Sequence, residues 1–167
     1  MLEGETKSVM RYEMIAFKAL LEQFLPKVFM KCKQFGLAVE FLVYDAVQSF
    51  YSHTFSSEIV YRIWDIMIFN FCSVNKEDRK RGIWYLLTPA FLMFKERSEA
   101  IENATNAVDI VHAIKQAATS NLNADVYIKK LQTEIFPLFV EESTVGHSGF
   151  IGAIENLFGA GGPTIGN

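Results

Sequence analysis

The sequence is short of nearly everything that interrupts a helix or staples a small domain. Its 167 residues hold four prolines, at Pro26, Pro89, Pro137 and Pro163, and no Asn-Gly or Asp-Gly pair. Tight hairpins depend on such pairs, so their absence, with apolar residues recurring at three and four rather than two, argues against a sheet. Only two cysteines occur, Cys32 and Cys72, far apart and near no ligand-spaced His or Cys. That excludes a disulfide scaffold and a zinc module, and reads as buried free thiols in a reducing compartment. No basic excess exists, the net charge being -3, which speaks against a nucleic-acid binder. No run of 18 apolar residues free of charge appears, and no charged-then-apolar leader opens the chain. Neither a membrane span nor a signal peptide is expected.

What the chain does have is apolar mass. Half its residues are hydrophobic, with 15 Phe against 2 Trp, enough for one domain to bury a core without staples. The periodicity predicts an all-α fold, an irregular multi-helix bundle of about six helices. A first helix runs from about Lys7 to Gln23, with Met10, Met14, Phe17, Leu20, Leu21 and Phe24 along one stripe. Pro26 restarts the chain as a short helix to about Lys33, and Gly36 stops it. Leu37 to His53 reads as a helix apolar on most of its surface, through Phe41, Leu42, Tyr44, Val47 and Phe50. It is therefore the expected central element.

Ser56 or Ser57 caps the next helix, which carries Ile59, Ile63, Ile66, Met67 and Phe69, with Glu58 in its first turn. Asn75 caps a fourth, in which Pro89 predicts a kink or a division into two shorter helices. Ser98 caps a fifth, with Ile101, Val108, Val111 and Ile114 in its buried stripe. Asn123 or Asp125 opens a sixth, built on Val126, Ile128, Leu131, Ile135 and Phe136. After about Glu142 the composition turns Gly- and Ser-rich, dividing the chain into a helical domain, 1–142, and a tail, 143–167. Within the tail, Phe150, Ile151, Ile154, Leu157 and Phe158 fall on one face of a short helix and form a candidate partner-binding segment.

Three motifs then occur in series: Leu20-Leu21-Glu22-Gln23-Phe24-Leu25-Pro26-Lys27-Val28, Phe50-Tyr51-Ser52-His53-Thr54-Phe55, and Val60-Tyr61-Arg62-Ile63-Trp64-Asp65-Ile66. Together they resemble the second half of a TBC domain, the Rab GTPase-activating domain. The family carries a stretch leading to Leu-Pro, then Leu-Phe-Ser-x-x-Leu/Phe-Pro, then Val-Leu-Arg-Ile-Trp-Asp. Arg81 to Phe94 and Asn123 to Leu131 sit where the family has later helices, so the resemblance spans roughly Phe17 to Phe139. It implies the C-terminal lobe of a TBC fold. Pro26, Arg62, Trp64 and Asp65 would be its structural signature.

Physically, the indole of Trp64 must find a partner for its N–H. Arg62 and Asp65, three apart, are spaced for a charge-assisted pair on one helical face. Trp64 is expected in a core between the Leu37–His53 helix and the helix that follows Asn75.

The chemistry of such a domain lies in an arginine finger in Ile-x-x-Asp-x-x-Arg and a glutamine finger in Tyr-x-Gln. The Arg neutralises charge on the transferring phosphate, and the Gln orients the attacking water. Neither motif is in this sequence. None of the six tyrosines is followed two residues later by Gln, and Asn75-x-x-Asp78-x-x-Arg81 lacks the Ile and falls after the Trp-Asp element. Lys76, Arg79, Lys80 and Arg81 read as a solvated helix start. Phe50-Tyr51 in place of Leu-Phe, and Asp45-Ala46 where many members carry Trp-Phe, mark a divergent member.

The histidines His53, His112 and His147 are isolated, and no hydrolase, zinc-protease or phosphate-loop motif occurs. No catalytic residue, cofactor or metal ligand is therefore assigned. The resemblance implies a Rab-type small GTPase as partner of the full domain; the apolar face of the tail separately suggests docking onto this domain or onto other protein subunits. The resemblance also implies a cytoplasmic setting at the edge of endomembranes. The competing readings are a catalytically inactive TBC-like scaffold in a larger assembly, and a helical adaptor in which the Arg-Ile-Trp-Asp match is chance.

Overall fold

The computed structural model describes residues 3–119 and 123–138, with side chains described for 14–75, 85–117 and 123–138. Its order is α1 (Glu3–Phe24), α2 (Pro26–Gln34), α3 (Val39–Gln48), α4 (Ser57–Phe71), α5 (Lys76–Glu96), α6 (Ser98–Glu102), α7 (Ala107–Thr119) and α8 (Ala124–Lys130). A π-helical turn, Leu131–Ile135, continues α8. Among the described residues there is no strand. The all-α expectation is met, with eight α-helices among the described residues where about six were expected in the chain. The expected tail segment, Phe150, Ile151, Ile154, Leu157 and Phe158, lies outside the described residues, as do the domain boundary at 142 and His147.

Several boundaries follow local chemistry. Pro26 is the first residue of α2, where its missing N–H costs nothing. Gly36, at φ +69°, ends α2: its own N–H reaches Lys33 O at 3.0 Å and Leu37 N–H reaches Cys32 O at 2.9 Å, the paired bonds of a Schellman cap. Asn123 caps α8, its side chain accepting from Val126 N–H at 3.2 Å. The expected fifth helix is two helices, because the chain leaves α6 at Asn103 and is recapped. Asn106 Oδ1 accepts the Asp109 N–H at 2.9 Å, while Asp109 accepts from Thr105 N–H, Thr105 Oγ1 and Asn106 Nδ2. This reciprocal box restarts the helix as α7. Ser56 occupies the N-cap position of α4 without a side-chain cap bond, and Ser98 is the first residue of α6 rather than its cap.

The central element is α5, not α3. Every residue from Leu86 to Phe94 is buried, and α5 packs against α1, α3, α4, α6, α7 and the π-helical turn. Phe17 and Phe24 of α1 meet Phe94 and Phe91 edge to face, with ring centres 5.7 and 6.0 Å apart. Phe17, Phe91 and Phe94 are fully buried, and each such ring contributes roughly 1.5–3 kcal/mol of transfer free energy, while Phe24 is half-buried. By contrast α3 buries only Val39, Val43 and Val47, one residue per turn, and leaves Phe41 78% exposed. The expectation of a helix covered on several sides fails there because its apolar residues lie on both faces while only one face is packed. Phe69, Val108 and Val126 are likewise exposed and Val111 half-buried, against the sequence reading.

Pro89 neither divides α5 nor ends it. The hydroxyl of Tyr51, fully buried, enters the helix beside it. It donates to Leu86 O at 2.5 Å and accepts from Ala90 N–H at 3.3 Å. The side chain thus holds the groups on either side of the proline, and Thr88 Oγ1 reaches the Tyr85 carbonyl at 3.3 Å. A proline withdraws one ladder bond, and an inserted polar side chain is a recognised way to satisfy what is left.

Candidate functional site

Two of the three sequence motifs meet at the turn between α3 and α4. Helix α3 ends at Gln48, five residues before the expected His53, through a second Schellman cap. Phe50 N–H reaches Val47 O at 3.0 Å and Tyr51 N–H reaches Ala46 O at 2.7 Å. Phe50, at φ +48°, stands where a helix ordinarily places Gly, and Tyr51 follows at φ +64°. Two successive non-glycine residues in the left-handed region cost about 1–2 kcal/mol each. The tertiary contacts of the turn hold them there: Tyr51 through its hydroxyl in α5, and Phe50 through its carbonyl, which accepts the Trp64 Nε1–H at 2.8 Å.

Trp64 finds its partner in this carbonyl. It is half-buried at the margin of the core, not enclosed between two helices as expected. The exposed ring of Tyr61 meets its indole edge to face at 6.2 Å. Arg62 and Asp65 do not pair as expected. The Arg62 guanidinium bonds Asp125 at the start of α8 and lies 3.4 Å from Glu58, one turn back, while Asp65 faces solvent. The hydrogen bond and charge of Asp125 push the Arg62 guanidinium further up, with Glu58 adding less. Pro26 is remote from this centre in sequence and acts where α1 passes into α2, with Leu25 N–H on Leu21 O at 2.9 Å.

Three features of the site escape sequence reading: the Tyr51 insertion, Asp125 as the partner of Arg62, and the apolar outer face of α4. The last had a visible signal. Projecting Ser57–Phe71 at 100° per residue puts Ile59, Ile63 and Met67 on one side and Tyr61, Ile68 and Phe69 on the other, so both sides of the helix are apolar.

Among the described residues no group of His, Cys, Asp and Glu could hold a metal ion. His53 is exposed in the turn, and exposed His112 lines an open groove of about 210 Å³ along α7 with Val108, Val111 and Lys115. Both cysteines are free, but only Cys32 is buried as expected, its thiol pushed up to about 11 by that burial. Cys72 lies at the exposed end of α4. Tyr127 keeps a buried hydroxyl with no protein partner, and burial first, then Tyr51 and Glu96, pushes its phenol well above the ordinary range.

The family model described as Rab-GTPase-TBC domain matches residues 3–98, from the first residue of α1 to the first of α6. No curated protein and no solved structure matches the chain. The core runs on past the matched residues without a break: α7 packs on α5, α8 on α4, and the π-helical turn on α5. Lys130–Glu96 at 2.8 Å, Lys95–Glu134 at 3.7 Å and the Tyr85–Phe136 stack at 4.0 Å join the later elements to α5.

Proposed function

Because the chain belongs to the Rab-GTPase-TBC domain family, we propose that it is the C-terminal lobe of a Rab GTPase-activating domain. In this reading it supplies fold and part of the Rab-binding surface, and it brings no arginine or glutamine finger of its own. The observation that carries the reading is the bond from Trp64 to the Phe50 carbonyl. It joins two of the three family-like motifs in space, so the Arg-Ile-Trp-Asp run acts through geometry rather than through contact with a phosphate. Phosphoryl transfer needs a cation on the phosphate and a group to orient water. The residues gathered at this turn offer a carbonyl, an indole and an arginine already bound to Asp125 and Glu58.

The test is single-turnover GTP hydrolysis by a panel of Rab proteins, with and without the chain. The expected result is the intrinsic Rab rate in both. An acceleration that disappears when one arginine of this chain is replaced would overturn the silent-lobe reading.

The second reading, a TBC-like scaffold without catalytic duty, draws on the absence of both finger motifs from the sequence. Here the tail from 143 to 167, through Phe150, Ile151, Ile154, Leu157 and Phe158, docks to another subunit. The place of action in both readings is the cytoplasmic edge of trafficking membranes. No helix among the described residues is long and apolar enough to cross a membrane. Deleting 143–167 separates the readings: a shortened chain that still enters every native complex rules out the tail-docked scaffold.

A further inference from the structure

Helix α4 is apolar on the side that faces away from the core. Its buried stripe is Ile59, Ile63 and Met67; opposite them stand Tyr61, 61% exposed, Ile68, 58%, and Phe69, 77%. Single exposed apolar residues are ordinary, but three on one stripe spanning about two turns of helix mark a contact surface. Half-exposed Phe50 and the indole of Trp64 widen the stripe at its N-terminal end, since the Trp64–Phe50 bond and the Tyr61–Trp64 contact fix these rings side by side.

On α4 itself the exposed charge along this stripe is acidic. Asp65 lies within it, between Tyr61 and Ile68 along the helix axis, and Glu58 precedes Tyr61 by one turn. The one cation of α4, Arg62, is bonded to Asp125 and Glu58. Two carboxylates, Glu58 and Asp125, thus hold the single guanidinium, and exposed Asp65 does not share it. An anionic lipid surface or a nucleic acid would be repelled, and a purely apolar partner would leave the carboxylates facing it unpaired.

We propose that the outer face of α4 binds a cationic amphipathic helix of a partner protein. Its apolar residues, one turn apart, would pack between Tyr61, Ile68 and Phe69, and its Lys or Arg would meet Asp65 and Glu58. The surface is complete within this chain, so it holds whether or not the chain acts on a Rab.

The probe is a synthetic amphipathic helix of Leu and Lys, titrated into the isotopically labelled full chain beside its Leu–Glu counterpart. Amide shifts should map to α4 and Phe50, and the Leu–Lys helix should bind at least about tenfold tighter, an advantage that added salt erodes. Asp65→Lys, and separately Tyr61→Ser with Phe69→Ser, should each weaken binding about tenfold. All three positions are solvent-facing, so the fold survives the changes. Lys27→Glu, at an exposed position of α2, should change nothing. Equal affinity for the two helices, or shifts confined to another face such as the α7 groove, would overturn the proposal. So would concentration-dependent self-association abolished by Asp65→Lys, which would make the occupant a second copy of this chain. GTPase measurements leave these outcomes untouched, so the two readings fail separately.

Discussion

The Tyr51 hydroxyl enters the turn of α5 that carries Pro89 and bonds the ladder pair next to it. The donor that the proline removes would have served the Tyr85 carbonyl, which Thr88 Oγ1 reaches instead, while the tyrosine hydroxyl, arriving from the α3–α4 turn, bridges the next ladder pair, Leu86 O and Ala90 N–H. A helix bearing a proline among nine successive buried residues, Leu86 to Phe94, remains one helix, and a distant side chain bonds the backbone pair beside the proline.

Replacing that hydroxyl measures the bridge. Tyr51→Phe keeps the ring contact with Phe55 at 5.7 Å and leaves two buried backbone groups without their partner. The expected loss is about 1–3 kcal/mol, read as a lower urea midpoint at unchanged slope. No loss would mean that Leu86 and Ala90 close the ladder by themselves.

Tyr127 makes the opposite case. Its buried hydroxyl has no protein partner, so Tyr127→Phe should be neutral or stabilising by up to about 1 kcal/mol at neutral pH. The pH dependence has a definite sign. A phenol whose folded pKa is raised contributes stability that is full below its unfolded value, near pH 10, and is lost as pH rises towards the folded value. The alkaline fall in stability should be shallower in Tyr127→Phe than in the parent.

At acid pH the sensitive group is Asp109. Hydrogen bonds from Thr105, then from Asn106, hold its carboxyl below the ordinary carboxylate range. A depressed folded pKa contributes stability above the unfolded value, near 4, and that contribution disappears as pH falls through the folded one. Asp109→Asn should be less stable than the parent at pH 7. The two unfolding curves should converge as pH is lowered below 4; a constant gap would remove the cap from the account.

Thiol chemistry gives a count. Native protein should consume one equivalent of a thiol reagent quickly, at exposed Cys72, and a second only in denaturant. Buried Cys32, with its thiol pushed up to about 11, presents almost no thiolate at neutral pH. Rapid labelling of both would place Cys32 in a part of α2 that opens readily.

Legibility in the sequence tracked the range of the interaction. The Leu25-Pro26 break, the Gly36 stop and the Asn123 cap were readable because each depends on bonds within about one turn of chain. The end of α3 was not, since Phe50 fills a capping position that chemistry normally assigns to Gly, and it is held there by Trp64, fourteen residues on. The same reason hid the bonds that Tyr51 makes beside Pro89 in α5, and the choice of Arg62 for Asp125 over Asp65, across 63 residues. Exposure was misread where apolar residues decorate both sides of a helix, as at Phe41 and Phe69. Periodicity finds a stripe but does not say whether anything covers it. The family-like motifs were legible as a series, whereas the contacts among them were not.

The left-handed pair at Phe50 and Tyr51 also sets an order of events during synthesis. Its anchor in α5 lies 35 and 39 residues downstream, so a ribosome that has released only α1 to α4 holds a turn with its local penalty and without the Tyr51 anchor. Helices α3 and α4 can form early, but their mutual angle should stay loose until Leu86 and Ala90 have emerged. In that interval the apolar stripes of both helices are open to solvent. The angle between α3 and α4 should therefore become fixed only when α5 arrives, bringing the backbone pair that Tyr51 bonds and the buried run Leu86 to Phe94.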